Sequence, residues 1–230
     1  LRVPLAFYYV GLQDSSDERR SFVTNSAFHH SYNGGVVTGA GSDGVQVEGN
    51  VFFNIVADGI EDRGENTRIV DNTIIFCQYR VLYRSLYELQ ISLNNDAEQS
   101  NLPAGINTIG TRSSIVLNNR VSGVEGYCYK SHGKACSSND LCSDTASDNI
   151  QSPPVIENHG HSCMFGAAII QETGRPCMEY SNFNLWKIMD FAFYTQAIGS
   201  DVHIKNNIIT DVVTGIQNVM IGNGDPRDHV

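Results

Sequence analysis

Four side chains carry the chemistry of an acid–base site: His29, Glu61, Asp62 and Arg63. Two carboxylates near an imidazole and a guanidinium suit proton transfer at a glycosidic oxygen, or capture of a metal ion. Their spacing argues against one shared site. Within the repeat described below, the histidine run and the Glu61–Asp62–Arg63 run fall on different faces. A solvated turn with a local Asp–Arg pair, worth little energetically, accounts for the acidic run. His159, His161 and Cys163 form a second constellation, since in an extended strand alternate residues point to one side with the spacing of metal ligands. A disulfide at Cys163 and two surface histidines explain the same residues. The expectation is therefore no catalytic residue, no metal and no cofactor.

No phosphate loop, nucleophile elbow or dinucleotide fingerprint is present. The chain has 230 residues, with 15 Lys and Arg against 25 Asp and Glu, and a formal charge of −10. That balance argues against a nucleic-acid partner, because phosphates need cations. No apolar run reaches the ~18 residues of a membrane span. With 21 Gly and only 6 Pro, and with many Asn, Val and Ile, the composition favours short strands joined by tight turns.

Five of the six cysteines lie between Cys128 and Cys177. No C-x-x-C pair occurs, so a zinc ribbon or a thioredoxin-like site is disfavoured. The cluster fits a stapled loop in an oxidising compartment, hence an extracellular or cell-surface setting. Cys128, Cys136, Cys142, Cys163 and Cys177 are the disulfide candidates. The pairings expected are Cys128 with Cys136 or Cys142, and Cys163 with Cys177, which leaves Cys77 free and buried in a coil. No N-glycosylation sequon is present.

An internal repeat organises these groups. Residues 25–36 (NSAFHHSYNGGV) and 50–60 (NVFFNIVADGI) share the form N-x-x-F-x5-G at a spacing of 25 residues. Weaker copies surround Asn72, Asn119 and Asn207. Strands of three to five residues broken by Asn or Gly are too short for a useful hairpin sheet. Repeated every 22–25 residues, they wind into coils that stack as a solenoid. The fold expected is all-β, a right-handed parallel β-helix. Asn25, Asn50, Asn72, Asn119 and Asn207 are expected to form an inward ladder of stacked amides. Sandwich strands are longer and show no such period.

Residues 77–101 hold little Gly and are read as an outward loop or short helix. Residues 126–177 are read as a Cys-rich insertion, with the coils resuming near Cys177. The β-helix domain then spans residues 1–222, with 223–230 a tail or linker. A solenoid needs capped ends, and no amphipathic capping helix precedes Leu5. The segment is therefore read as cut from a much longer chain or as docking end-on to another module, and stacking into a filament is a further possibility of the same geometry. The aromatic residues Phe7, Tyr8, Tyr9, Phe52, Phe53, Phe183, Phe191, Phe193 and Tyr194 are expected chiefly inside the coils, although a line of them on a face would stack sugars. The N-H-G-H run at 158–161 invites comparison with β-helical pectin hydrolases, but these need paired aspartates on neighbouring coils, and no Asp–Asp pair occurs.

The order of features resembles one family. DGVQVEGNVFFNIVADGI is followed by NNRVSGVEGYCY, GHSCMFGAAIIQETGRPC, NFNLWKIMDFAFYTQ and VHIKNNIITDVVTGI. This is similar to the β-helix segment of the fibrocystin and fibrocystin-like group, over about Ser21 to Gly222. The resemblance implies a large cell-surface protein associated with cilia or sensory surface coats, with no catalytic activity. A related branch of cell-surface hyaluronan-degrading proteins carries an H-H-S run followed by an E-D run, which here would be His29–His30–Ser31 and Glu61–Asp62–Arg63. This sequence departs in its spacing after Asp62 and lacks that branch's Cys beside the H-H-S run. The function expected is a structural and adhesive scaffold. Its expected contacts are with other domains of the same chain and with cell-surface or matrix proteins. A glycan ligand is the alternative.

Overall fold

The computed structural model describes residues 4–10, 20–79, 102–109, 114–133, 155–171, 178–197 and 202–220. All the elements among them are strands, and every pairing is parallel. They wind into a parallel β-helix with three faces. The first face is a seven-stranded sheet of β2 (Phe22–Thr24), β5 (Gln46–Glu48), β8 (Arg68–Val70), β11 (Ile115–Leu117), β14 (Val155–Ile156), β17 (Met178–Ser181) and β19 (Val202–Lys205). The second carries β3 (Ala27–Ser31), β6 (Val51–Val56), β9 (Thr73–Gln78), β12 (Arg120–Ser122) and β15 (His159–His161). The third carries β1 (Leu5–Phe7), β4 (Val36–Thr38), β7 (Ile60–Asp62), β10 (Ala104–Ile109), β13 (Tyr127–Gly133) and β16 (Phe165–Gln171). The long strands β18 (Asn184–Ala197) and β20 (Ile208–Met220) turn the corner unbroken, so faces two and three join into one thirteen-stranded sheet.

Register fixes the coil length. Val23, Val47, Ile69, Val116, Val155, Tyr180 and Ile204 stack along the lumen side of the first face. The neighbouring row on the second face is Phe28, Phe52, Ile74, Val121, Gly160, Leu185 and Ile209. Phe28 and Phe52 stack with centroids 5.0 Å apart. Period-2 alternation thus sends one row of apolar side chains inward from each face, and the lumen is the core. Asn, Gly and Asp restart the strand at each corner, which is why no strand on the first face exceeds four residues.

The corner between faces one and two has two residues in every coil. The first is left-handed throughout: Asn25 (φ 49°), Gly49 (65°), Asp71 (56°), Asn118 (51°), Glu157 (58°), Asn182 (58°) and Asn206 (55°). Asn and Asp tolerate this conformation better than most residues. The second residue is Ser26, Asn50, Asn72, Asn119, Asn158, Phe183 or Asn207, and it points inward. Asn50 Nδ2 donates to Asn72 Oδ1, Asn72 Nδ2 to Asn119 Oδ1, and Asn119 Nδ2 to Asn158 Oδ1, each at 3.0 Å. Each Oδ1 also accepts the backbone N–H of the preceding coil's ladder residue. The coil repeat is thus 24 residues at this end, Val23 to Val47, and not 25. Asn25 lies one position outside the ladder, in the left-handed turn, and Ser26 takes the ladder place, donating its N–H to Asn50 Oδ1 at 3.0 Å. Asn158 is a ladder member that sequence reading missed. Phe183 replaces the amide, packing against Tyr129, Tyr180 and Phe193, and Asn207 resumes by accepting the Phe183 N–H at 2.7 Å.

The Cys-rich stretch is not one insertion. β13, β14, β15 and β16 lie inside residues 126–177 and build two coils. A disulfide joins Cys128 to Cys163, with Cα atoms 5.7 Å apart. This corrects the pairings expected from sequence, for Cys128 with Cys136 or Cys142 and for Cys163 with Cys177. Cys128 and Cys163 sit on successive coils at the corner where face two meets face three, so stacking selects the partner rather than nearness in sequence. Gly160 faces this bridge: a Cβ there would lie 2.9 Å from Cys128 Sγ and from Leu185 Cδ2. Cys77 is free and fully buried. Cys136, Cys142, Cys177, the segment 80–101 and the tail 223–230 lie outside the described residues. No helix among the described residues is long and apolar enough to cross a membrane.

Candidate functional site

The acid–base candidates are separated by the winding. His29 is on β3, paired with Phe53 on the outside of face two. Its Nδ1 lies 3.0 Å from that of His30, and the His30 ring meets Phe53 edge-on at 5.8 Å. Glu61, Asp62 and Arg63 are on and just after β7, on face three. Glu61 points outward and holds Arg63 at 2.5 Å. Asp62 points into the wall of the lumen and is fully buried. Alternation along β7 therefore divides even this acidic pair. Among the described residues no three His, Cys, Asp or Glu converge as a metal cluster.

His159 and His161 project from β15 on the outside of face two, while Cys163 turns inward to its disulfide. The His161 ring lies on Trp186, with centroids 4.5 Å apart and planes 22° apart. Burial on that ring, helped by the nearby Lys187 charge, pushes the His161 pKa below the usual histidine value. Trp186 is the only tryptophan in the chain, so its emission reports this pair. We expect emission to fall as His161 becomes a cation, with a midpoint below pH 6.5, and His161→Ala to abolish the step. A fluorescence titration checks both.

Around that pair runs one outward row: His29, Phe53, Ile75, Ser122, His161, Trp186 and Thr210. Beside it runs Ala27, Val51, Thr73, Arg120, His159, Asn184 and Ile208. Phe53 and Val51 are each 44% exposed and Ile75 37%. Aromatic and apolar groups alternate here with hydroxyl, amide and imidazole groups on a flat sheet. The other expected aromatics divide differently. Phe52, Phe183 and Phe193 fill the lumen, Tyr8 and Tyr9 are exposed, and Phe191 and Tyr194 are buried on the outside of face three.

That outer side of face three holds what sequence reading did not find. Tyr127, Phe165 and Phe191 overlap there with centroids 4.9 and 4.5 Å apart, and Lys130, only 3% exposed, lies over the Tyr127 ring at 5.4 Å. Asp58, in the turn before β7, accepts from the Ala104 N–H at 2.7 Å and from Asn107 Nδ2 at 2.8 Å. Enclosure of its carboxyl raises the pKa to about 6, against the lowering effect of these donors and of Lys130. An acid whose pKa rises on folding destabilises the folded state once it ionises. Stability attributable to Asp58 therefore falls as pH rises from about 4 to about 6, by about 2–3 kcal/mol. We expect denaturation curves of Asp58→Asn to lack that decline relative to the parent chain.

The model of the CEMIP beta-helix family matches residues 1–167, well over half of the chain. This chain belongs to the CEMIP beta-helix family. The match covers the ladder as far as Asn158, the disulfide and the whole of β15. The chain is also similar to fibrocystin-L of Mus musculus, 26% identical over 201 residues, and of Homo sapiens, 25% identical over 209. Fibrocystin of Canis lupus familiaris is 22% identical over 223 residues. These alignments cover 87%, 90% and 96% of this chain but 4%, 4% and 5% of the relatives. The chain is thus a fibrocystin-like β-helix segment that spans a small part of its curated relatives' length. No solved structure matches it significantly.

Proposed function

We propose that this segment is a non-catalytic, stiff β-helical scaffold in the extracellular part of a fibrocystin-like surface protein, holding neighbouring domains and surface or matrix proteins at its faces. The observation that carries this reading is the separation of His29 from Glu61, Asp62 and Arg63 on different faces, with Asp62 turned inward. The disulfide buried between coils supports the extracellular setting, and similarity to fibrocystins supports the surface protein. The test is a digestion assay on hyaluronan, other glycosaminoglycans and plant uronans, with and without Ca²⁺. Unchanged chain lengths are expected. Shortening that is lost in Glu61→Gln would overturn the reading.

A second reading has its own observation. The outward row from Phe53 to Trp186 pairs exposed rings with hydroxyl and imidazole groups, which suits stacking of sugar rings. Under this reading the face binds a glycan without cutting it. Uronate oligosaccharides should then change Trp186 emission in the parent chain, and Phe53→Ala should weaken the response.

A further inference from the structure

The enclosed outer side of face three brings an amine and an amide together. One outward row there runs through Glu61, Asn107, Lys130, Ala168 and Tyr194 on successive coils. Asn107 on β10 and Lys130 on β13 are in-register partners, on parallel strands whose backbones lie about 4.8 Å apart. Both side chains are buried. Lysine is rarely enclosed to this degree, and Asn107 Oδ1 has no hydrogen-bond partner. Buried polar atoms are normally satisfied, so this neighbouring pair calls for an explanation.

Asp58 completes the group. Its Oδ1 accepts the Ala104 N–H at 2.7 Å, and its Oδ2 accepts from Asn107 Nδ2 at 2.8 Å. Lys130 Nζ lies over the Tyr127 ring, 5.4 Å from its centroid, and Tyr127 is the strand partner of Ala104. The amine is therefore at the end of β10 and β13 that holds the carboxyl. Tyr127, Phe165, Phe191 and Tyr194 wall this region with apolar surface. Burial lowers the Lys130 pKa, which enlarges the share of neutral, nucleophilic amine. Asp58, with a pKa raised to about 6, is suited to exchange protons with both nitrogens near neutral pH. The charges acting on it are Glu61, which raises its pKa, and Lys130, which lowers it; Glu61 is itself paired with Arg63.

We propose that Lys130 and Asn107 join in an intramolecular isopeptide bond, with Asp58 as the proton carrier. Lys130 Nζ attacks Asn107 Cγ, and the new C–N bond forms. Asp58 takes a proton from the attacking nitrogen and passes it to Nδ2, the atom that it already holds. The Cγ–Nδ2 bond then breaks and ammonia leaves. An amine and a primary amide thus become a secondary amide and ammonia, with no oxidant, reductant or further reactant. Fixing the two groups on adjacent strands supplies the proximity that such a reaction lacks in solution. The product removes a buried cation from the outer face. With the Cys128–Cys163 disulfide it clamps three successive coils, those of β10, β13 and β16. The inference is independent of the scaffold and glycan readings above.

The test is the intact mass of the whole chain, purified folded, then denatured and reduced. A mass lower than that of the sequence by one ammonia is expected. Proteolysis with tandem mass spectrometry should recover the Asn107 and Lys130 peptides joined to each other. Lys130→Arg keeps the charge but has no nucleophilic amine, and Asp58→Ala removes the proton carrier; each should restore the full mass. The parent chain decides the question whether or not a variant folds. Its full sequence mass after prolonged incubation at neutral pH overturns the proposal. Ammonia lost from a linear peptide, as in a succinimide at Asn33–Gly34, overturns it too. A link that forms undiminished in Asp58→Ala overturns the assignment of Asp58.

Discussion

Replacing Asn72 by alanine is expected to lower the folding stability by about 3–5 kcal/mol. Asn72 Oδ1 accepts from both the N–H and Nδ2 of Asn50, and its Nδ2 donates to Val47 O and Asn119 Oδ1. Alanine removes all four bonds in a site with no exposure. It strands two donors of Asn50 and the Val47 carbonyl away from water, and each orphan costs about 1–3 kcal/mol. For a chain of this size the loss corresponds to a fall in Tm of about 10 °C. Asn25→Gly is the matched control. That residue occupies the left-handed turn column, with φ 49°, which glycine adopts freely, so its Tm should move little. Thermal scans of the two variants side by side decide whether the ladder or mere Asn content stabilises the coils.

The second large effect is expected from Cys128→Ala with Cys163→Ala. The bridge closes a stretch with a sequence separation of 35. Loop-closure entropy for that length gives about 4 kcal/mol. Both cysteines are fully buried. Reductant should therefore act slowly on the folded chain and lower Tm only after unfolding exposes the bridge. Single and double variants should be similarly destabilised, because either change opens the same loop. A Tm equal to that of the parent chain in the double variant would show that stacking alone holds these coils.

The repeat was legible because coil length recurs in the chain, yet its phase was read one residue out. The reason is physical. Two adjacent columns both favour Asn: the turn column for its left-handed backbone, and the ladder column for its amide. Asn118–Asn119 and Asn206–Asn207 fill both columns, whereas coil one has Asn only in the turn column, so aligning Asn25 with Asn50 shifts the frame. Asn158 was hidden by the longer connection before β14, which breaks the even period. The disulfide partner was illegible for a related cause. Stacking brings together residues one coil apart, and the residues between them conceal how long that coil is. Asp58 and Lys130 gave no signal at all, since nothing in their neighbours along the chain marks an outer face that folding encloses. His29 and the acidic run were legible as belonging to separate faces, because their offsets within the coil differ by far more than the one-residue error in phase.

Coil geometry also sets how the segment would respond to tension. The shorter coils hold about 24 residues, as from Val23 to Val47, or roughly 80 Å of extended chain. Each adds only about 4.8 Å along the axis. Pulled from its ends, such a segment would lengthen by peeling, one coil at a time, with every step releasing more than ten times the length it removes. The Cys128–Cys163 bridge interrupts that sequence. The chain between the two cysteines, roughly 120 Å when extended, stays withheld from the pull until the bond is reduced. The segment is thus a reservoir of slack with a covalent stop built into its middle coils.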